Sequence, residues 1–212
     1  MKAVVFDMDG VIFDSENLCM KCWHVVAEKY DIPDIDEVIF KCIGTNKAMT
    51  TKIVTEHYGE DFDFKKYEGE MSTLFHEYEA EHSLPKKPGV VELLDYLKAK
   101  NYKLAVASST RIALVTKQLE HASLLNYFDE VVGGDMLEKS KPAPDIYLMA
   151  CDKIGVTPEE AYAIEDSYNG IRSAHAAGMK AIMVPDLLPA DDEMREKSIM
   201  IKDSLLDLID VI

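Results

Sequence analysis

Short apolar segments that end in polar residues recur along the chain and alternate with amphipathic segments. The predicted strands are residues 2–6, 102–107, 130–132, 161–164 and 181–184. Segments with apolar residues at three-to-four spacing predict helices between them, at residues 90–100, 111–125 and 144–154. Strands that alternate with helices indicate a parallel sheet covered on both faces, so the predicted fold is α/β and Rossmann-like.

One long segment breaks this alternation. Residues 14–85 contain predicted helices at 18–30, 47–58 and 64–82, which are separated by prolines and glycines. The segment predicts an all-helical cap domain inserted between the first strand and the second βα unit. The predicted domains are a core of residues 1–13 and 86–212 and a cap of residues 14–85. Both ends of the cap return to the carboxyl edge of the sheet, so we expect it to act as a lid.

Composition excludes several classes of protein. The 212-residue chain is 48% apolar and has a formal net charge of −16, with 39 acidic and 23 basic residues. This charge opposes binding to nucleic acid or to anionic membranes, which attract positive surfaces. Its apolar runs fall short of the roughly 20 residues that span a bilayer, and its four cysteines do not form a disulfide pattern. We expect a cytoplasmic protein with reduced thiols.

Polar residues converge on one edge of the predicted sheet. In parallel sheets of this kind, ligands bind in the crevice beyond the carboxyl ends of the strands. The residues at these ends include Asp7, Asp9, Ser108, Glu165 and Asp166. A small anionic substrate would need a local positive site there, because the chain as a whole is acidic.

Asp7, Asp9 and Gly10 interrupt the first apolar run. A carboxylate at a strand end can act as a nucleophile toward phosphorus, and a second carboxylate two residues later lies along the same edge. Glycine allows the backbone to approach an anion closely. Asp-Gly is also common in turns, so a solvated strand-to-turn transition explains this segment about equally well.

Hydroxyl and ammonium groups occur in two later loops. Ser108, Ser109 and Thr110 precede a predicted helix, where their hydroxyl and N–H groups could bind a phosphate, although helix capping is the simpler explanation. Lys141, held between prolines in KSKPAP, could offset the charge of a phosphoryl oxygen or of carboxylates. Most loop lysines are solvated, and charge alone does not distinguish Lys139 from Lys141.

Glu165 and Asp166 directly follow a buried strand. At least one of two adjacent acids in this position should face the crevice. With Asp7 and Asp9 they would form an oxygen-rich site that suits Mg²⁺, an ion that also binds substrate phosphates. Helix capping by Asp166 or Ser167 is the alternative.

The four motifs, in this order and on this architecture, resemble the haloacid dehalogenase superfamily. The resemblance covers the whole chain and depends on DMDGVIFDSE, AVASST, SKPAPDIY and AIEDSYNGI. It includes members with a small helical cap, among them β-phosphoglucomutase-like sugar phosphatases. Dehalogenation is disfavoured, because the dehalogenases of the superfamily lack an acid at the position of Asp9.

The resemblance implies a role for each motif. Asp7 would be the nucleophile that forms an aspartyl-phosphate, and Asp9 would be the general acid and base. Ser108 would bind the transferring phosphoryl group and Lys141 would neutralise charge. The resemblance implies that Mg²⁺ is bound by Asp7, the Asp9 backbone carbonyl and Asp166, with Glu165 supporting or joining them.

Cap residues distinguish a phosphatase from a mutase. β-Phosphoglucomutase has a histidine where this chain has Cys19, and a cap arginine where this chain has Lys47. Asn46 and Lys47 remain candidate substrate contacts, with solvent exposure of Lys47 as the alternative. The predicted function is therefore a Mg²⁺-dependent phosphatase acting on a small phosphorylated metabolite. The alternatives are a hexose-phosphate mutase and a non-catalytic binding protein. Oligomeric state is left open, and a monomer is the simplest case.

Overall fold

The computed structural model describes residues 2–43 and 47–212, without the side chains of Lys47 and Ala48. Its described strands form one parallel sheet in the order β3-β2-β1-β4-β5-β6. The strands are β1 (Ala3–Phe6), β2 (Lys103–Ser108), β3 (Glu130–Gly133), β4 (Ala161–Glu165), β5 (Lys180–Met183) and β6 (Met200–Ile201). The predicted α/β, Rossmann-like fold is confirmed.

Strand β1 lies at the centre of the sheet and is buried on both faces. Every residue from Ala3 to Phe6 has an exposed fraction of 0%. A strand buried on both sides is continuously apolar rather than alternating, which explains the run AVVF. Ala3 and Val5 point into a cluster that also contains Tyr147 and Ile171.

Over the residues that the structure describes, five α-helices alternate with these strands along the chain. They are α5 (Val90–Ala99), α6 (Ile112–His121), α7 (Asp145–Ile154), α8 (Tyr168–Ala176) and α9 (Asp192–Lys197). Helix α7 begins directly after Pro144, which suits a helix start because proline has no N–H to leave unpaired. Helix α8 begins after Ser167, whose hydroxyl accepts a hydrogen bond from the Gly170 N–H at 3.1 Å.

The chain divides into two compact units. One contains the residues up to Asp14 together with Lys86–Ile212, and the other is Ser15–Pro85. The second, called here the helical unit, consists of α1 (Ser15–Lys29), α2 (Ile35–Cys42), α3 (Lys47–Tyr58) and α4 (Phe64–His82). Its interior includes a stacked pair of rings, Trp23 and Phe64, with centroids 5.8 Å apart. The lid role of this unit stays a prediction.

Within the sheet-containing unit, the segments on either side of the helical unit are tied to each other. Phe13 and Lys86 form an antiparallel bridge, and the Lys87 N–H donates to the Ile12 carbonyl at 2.9 Å. The Lys87 ammonium group donates to Asp186 Oδ1 at 2.7 Å and to Asp14 Oδ1 at 3.4 Å. These bonds join both segments to the loop that follows β5.

The sequence patterns missed some elements and overextended others. Helices α2 and α9 and strand β6 were not predicted. They have eight, six and two residues, and although Ile35, Val38 and Ile39 in α2 are spaced as in an amphipathic helix, that pattern covers only about two turns. The helix predicted at residues 111–125 ends at His121, since Ser123 adopts a positive φ of 60° that ends the helix. Among the described residues, no helix has both the length and the apolar character needed to cross a membrane.

Candidate active site

Asp7 and Lys141 form the centre of the candidate site. Asp7 directly follows β1, and its N–H donates to the Ile164 carbonyl at 3.0 Å, which aligns it with the end of β4. The Lys141 ammonium group contacts Asp7 Oδ1 at 2.5 Å, the Ala107 carbonyl at 3.0 Å and Glu165 Oε1 at 2.6 Å. Its three N–H donors therefore each have an acceptor. Lys139, the alternative, is exposed.

The topology explains why these groups meet. Strands β2 and β4 flank β1 in register, with Phe6 opposite both Val106 and Ile164. The residues one or two positions further along therefore reach the same edge. In this way Asp7, Ser108 and Glu165, which lie far apart in the sequence, become neighbours.

Three carboxylates gather at this edge. Ligand oxygens of Asp7, Glu165 and Asp166 lie within 4.8 Å of one another. Gly10 makes room for the group: its φ is +77°, and a Cβ there would overlap the Asp166 carboxylate. The turn is closed by the Gly10 N–H, which donates to the Phe13 carbonyl at 2.9 Å. A cluster of oxygen ligands with this excess of negative charge is suited to a hard divalent cation.

Burial changes the proton affinity of the central pair. Burial raises the pKa of the Asp7 carboxyl to about 8, although Lys141 opposes this shift. Burial alone would lower the pKa of the Lys141 ammonium, but the charges of Asp7 and Glu165 outweigh it and raise that pKa. A cation bound beside Asp7 would add to the effect of Lys141 and favour the ionised carboxylate.

The hydroxyl groups after β2 contact each other and Asp9. Ser108 is fully buried, and its Oγ accepts a hydrogen bond from the Thr110 N–H at 3.1 Å. Thr110 Oγ1 donates to Asp9 Oδ2 at 3.3 Å, so this loop also contacts the half-buried second aspartate. Ser109 is exposed. Helix α6 starts only at Ile112, whose N–H is capped by Asp135 at 2.8 Å rather than by a serine.

Two predicted substrate contacts are not described. Asn46 lies outside the described residues. Lys47 begins α3, but its side chain is also outside them. Their roles stay predictions.

The helical unit contains a partly open cavity of about 300 Å³. Its walls are mainly apolar, with Trp23, Phe64 and Met71 among them, and three cysteines also face it: Cys19, Cys22 and Cys42. Burial raises the pKa of the Cys19 thiol to about 11 and also raises the pKa values of Cys22 and Cys42. These thiols are therefore protonated at neutral pH.

Sequence reasoning missed Tyr147. It lies on the buried face of α7, and its hydroxyl donates to Glu165 Oε1 at 2.6 Å. Burial, together with the charge of Glu165, raises the pKa of Tyr147 well above its usual value, so the hydroxyl keeps its proton. The available signal was a tyrosine at an apolar helix position, since a buried tyrosine hydroxyl usually has a polar partner.

Comparison with known proteins places this architecture in a family. The model of haloacid dehalogenase-like hydrolases matches residues 4–184. A phosphorylated carbohydrates phosphatase of Thermotoga maritima is 35% identical, over 86% of this chain and 84% of the relative. A β-phosphoglucomutase of Bacillus subtilis is 32% identical, over 93% and 91%.

A crystal structure shows the same fold. The structure of a Thermotoga maritima protein described as a candidate β-phosphoglucomutase superimposes with a TM-score of 0.83 at 30% identity. The match covers 100% of this chain and 98% of that one. Together with the family match, these similarities show that the chain is a hydrolase of the haloacid dehalogenase-like family.

Proposed function

We propose that the protein is a Mg²⁺-dependent phosphatase that hydrolyses a small phosphorylated metabolite through an aspartyl-phosphate. The main support is the geometry of Asp7, a strand-end carboxylate held 2.5 Å from the Lys141 ammonium group and within an acidic cluster. Phosphoryl transfer depends on positioned charges and donors more than on elaborate covalent chemistry. This site offers both.

In the first step, an Asp7 carboxylate oxygen attacks phosphorus and the bond from phosphorus to the ester oxygen breaks. Asp9 gives its proton to the departing oxygen, which leaves as an alcohol. Lys141 and the Ser108 hydroxyl stabilise the charge on the phosphoryl oxygens. The fully buried Ser108 Oγ already accepts a bond from Thr110, so its own proton points elsewhere and can be donated to the phosphoryl group.

In the second step, water attacks the phosphorus of the aspartyl-phosphate. Asp9, now ionised, takes a proton from that water, and the bond between phosphorus and the Asp7 oxygen breaks. Inorganic phosphate leaves and Asp9 is again protonated. The Thr110 hydroxyl, 3.3 Å from Asp9 Oδ2, helps to keep this carboxyl directed at the reacting atoms.

The donor set fits Mg²⁺. Asp7 and Asp166 would hold the ion with the Asp9 backbone carbonyl, and Glu165 completes the acidic cluster. Bound Mg²⁺ would neutralise charge on the transferring phosphoryl group. It would also favour the ionised, nucleophilic form of Asp7.

Sugar phosphates are the expected substrate class. The phosphatase relative from Thermotoga maritima is named for phosphorylated carbohydrates. The core motifs also resemble those of sugar phosphatases with a small helical cap, which supports the same substrate class. The acidic surface of the chain disfavours nucleic-acid substrates.

A hexose-phosphate mutase is the second candidate, because the Bacillus subtilis mutase matches nearly the whole chain. A mutase must shield its aspartyl-phosphate from water and pass the phosphoryl group to a sugar. Cys19 stands where a mutase has histidine, which favours hydrolysis. The third possibility is a binding protein without turnover.

The test is phosphate release from a panel of sugar phosphates and nucleotides, with Mg²⁺ or with a chelator. Asp7→Asn removes the nucleophile and should lower turnover by at least about 10⁴-fold while the fold is kept. Isomerised sugar phosphate with little phosphate release would favour the mutase. No turnover of either kind would favour the binding protein, and an active Asp7→Asn variant would contradict the proposed nucleophile.

A further inference from the structure

Glu165 is the most enclosed acid of the candidate site. Its exposed fraction is 0%, and both of its oxygens accept hydrogen bonds from protein groups. Oε1 accepts from the Lys141 ammonium at 2.6 Å and from the Tyr147 hydroxyl at 2.6 Å. Oε2 accepts from the Ser167 hydroxyl at 3.0 Å and from the Ser167 N–H at 3.3 Å. A carboxylate has about four acceptor positions, so the protein itself satisfies all of them.

The first turn of α8 is shaped around this carboxylate. A Cβ at Gly170 would overlap the Glu165 carboxyl group, so only glycine leaves room for it there. The Gly170 N–H bonds to the Ser167 hydroxyl, which in turn donates to Glu165. The amino end of a helix also favours negative charge. Position, hydrogen bonding and charge therefore all fix Glu165 in one place.

Asp166 has different surroundings. It is only half-buried, and its carboxylate faces Gly10 in the turn that contains Asp7 and Asp9. A metal ligand needs at least one oxygen directed at the ion. The location of Asp166 meets this requirement, whereas a Glu165 that bound the ion would have to give up donors that are already in place.

We propose that Glu165 positions Lys141 and is not itself a metal ligand, and that Tyr147 and Gly170 hold Glu165 in that position. This inference rests on the proposed function, since Lys141 is the group that meets the phosphoryl oxygens. The Lys141 ammonium group is held between Asp7 and Glu165, with the Tyr147 ring centroid 5.0 Å away. Without Glu165 and its supports, Lys141 has one fixed carboxylate partner instead of two.

The test measures metal binding separately from turnover, in wild type and three variants. Mg²⁺ binding is measured by calorimetry, without substrate, for wild type, Glu165→Gln, Asp166→Asn and Tyr147→Phe. We expect Asp166→Asn to weaken Mg²⁺ binding at least 30-fold, roughly as expected for loss of a ligand. Glu165→Gln and Tyr147→Phe should leave the dissociation constant within about threefold of wild type.

Kinetics then test the positioning role. Tyr147→Phe should lower kcat about tenfold with little change in KM, and Glu165→Gln should lower kcat about 100-fold. Tyr102→Phe is the matched control, because Tyr102 is also buried but lies at the amino end of β2, across the sheet from the site. Its kcat should equal that of wild type.

Each outcome has one meaning. If Glu165→Gln weakens Mg²⁺ binding as much as Asp166→Asn does, Glu165 is a ligand and the inference is wrong. If Tyr147→Phe keeps the wild-type kcat, Tyr147 has no positioning role. If wild type itself binds no Mg²⁺, the metal-dependent function fails, which is a different result. Thermal unfolding of each variant tests whether it is folded. A lower kcat is attributed to the site only where the fold is kept.

Discussion

The carboxyl edge of the sheet and the cavity of the helical unit are built from opposite kinds of side chain. At the sheet edge, Asp7, Lys141 and Glu165 are buried ionisable groups, and the Lys141 ammonium group pairs with the two carboxyl groups at 2.5 and 2.6 Å. In the helical unit, apolar side chains and protonated thiols line the cavity. Buried charges tolerate little displacement because an unpaired one is costly, whereas apolar walls can repack. We therefore expect substitutions at the sheet edge to be tolerated less well than substitutions in the helical unit.

The largest expected effect comes from removing the Lys141 ammonium group, which pairs with both Asp7 and Glu165. Lys141→Met leaves Asp7 and Glu165 as neighbouring buried carboxylates without a counter-charge. We expect a loss of about 3–5 kcal/mol in the free energy of unfolding and a fall of roughly 10³-fold in kcat. Chemical denaturation and steady-state kinetics measure the two effects. Lys139→Met, at an exposed lysine two residues earlier, is the control and should behave as wild type.

A pair of glycine substitutions compares the two regions directly. In a helix, glycine to alanine normally stabilises by about 0.5–1 kcal/mol. Gly69→Ala in α4 should do so, because a Cβ there meets open space. Gly170→Ala in α8 should instead destabilise and lower kcat about 100-fold, since the new Cβ would displace Glu165.

Denaturation midpoints of both variants provide the measurement for that comparison. Equal stabilisation by the two alanines would mean that the Glu165 carboxylate moves aside at little cost. The sheet edge would then be as adaptable as the helical unit, and the contrast between the two regions would disappear.

The smallest effect concerns the thiols of the helical unit. Because burial raises the pKa of Cys19 to about 11, compared with 9.0 for a free thiol, less thiolate is present at neutral pH. After allowing for the greater nucleophilicity of the more basic thiolate, alkylation at pH 7.5 should be about tenfold slower than in the unfolded chain. Mass spectrometry of iodoacetamide-treated protein gives the rate at each cysteine.

The pH dependence provides the sharper test. As the pH rises, the rate at Cys19 should keep increasing toward pH 11, while the rate in the unfolded chain levels off near pH 9. A plateau near pH 9 in the folded protein would mean that the cavity is more polar than its lining indicates.

The sequence could predict the sheet because periodicity reports burial within one segment. The run AVVF before Asp7, and similar runs before Ser108 and Glu165, are local patterns, and the rules of parallel sheets bring their ends together. Helix α2 has a local pattern too, with Ile35, Val38 and Ile39 at three-to-four spacing, but its eight residues form only about two turns and it was missed.

The finer arrangement of the candidate site could not be predicted in this way. Lys139 and Lys141 look alike in the sequence, yet one is exposed and the side chain of the other has an exposed fraction of 7%. Likewise, the contact between Tyr147 and Glu165 depends on how α7 packs on the sheet. Burial and pairing of this kind arise from tertiary structure, which local spacing does not encode.

The bonds that Lys87 makes have a consequence for how such a chain can change over evolution. Because Phe13 and Lys86 pair with each other and Lys87 ties both flanking segments to Asp186, the chain leaves and re-enters the sheet-containing unit at a single point. Closing a longer loop between fixed ends costs only about 0.6 kcal/mol per doubling of its length. Insertions of very different size can therefore be exchanged between Phe13 and Lys86. The sheet, and the acids at its edge, would stay unchanged.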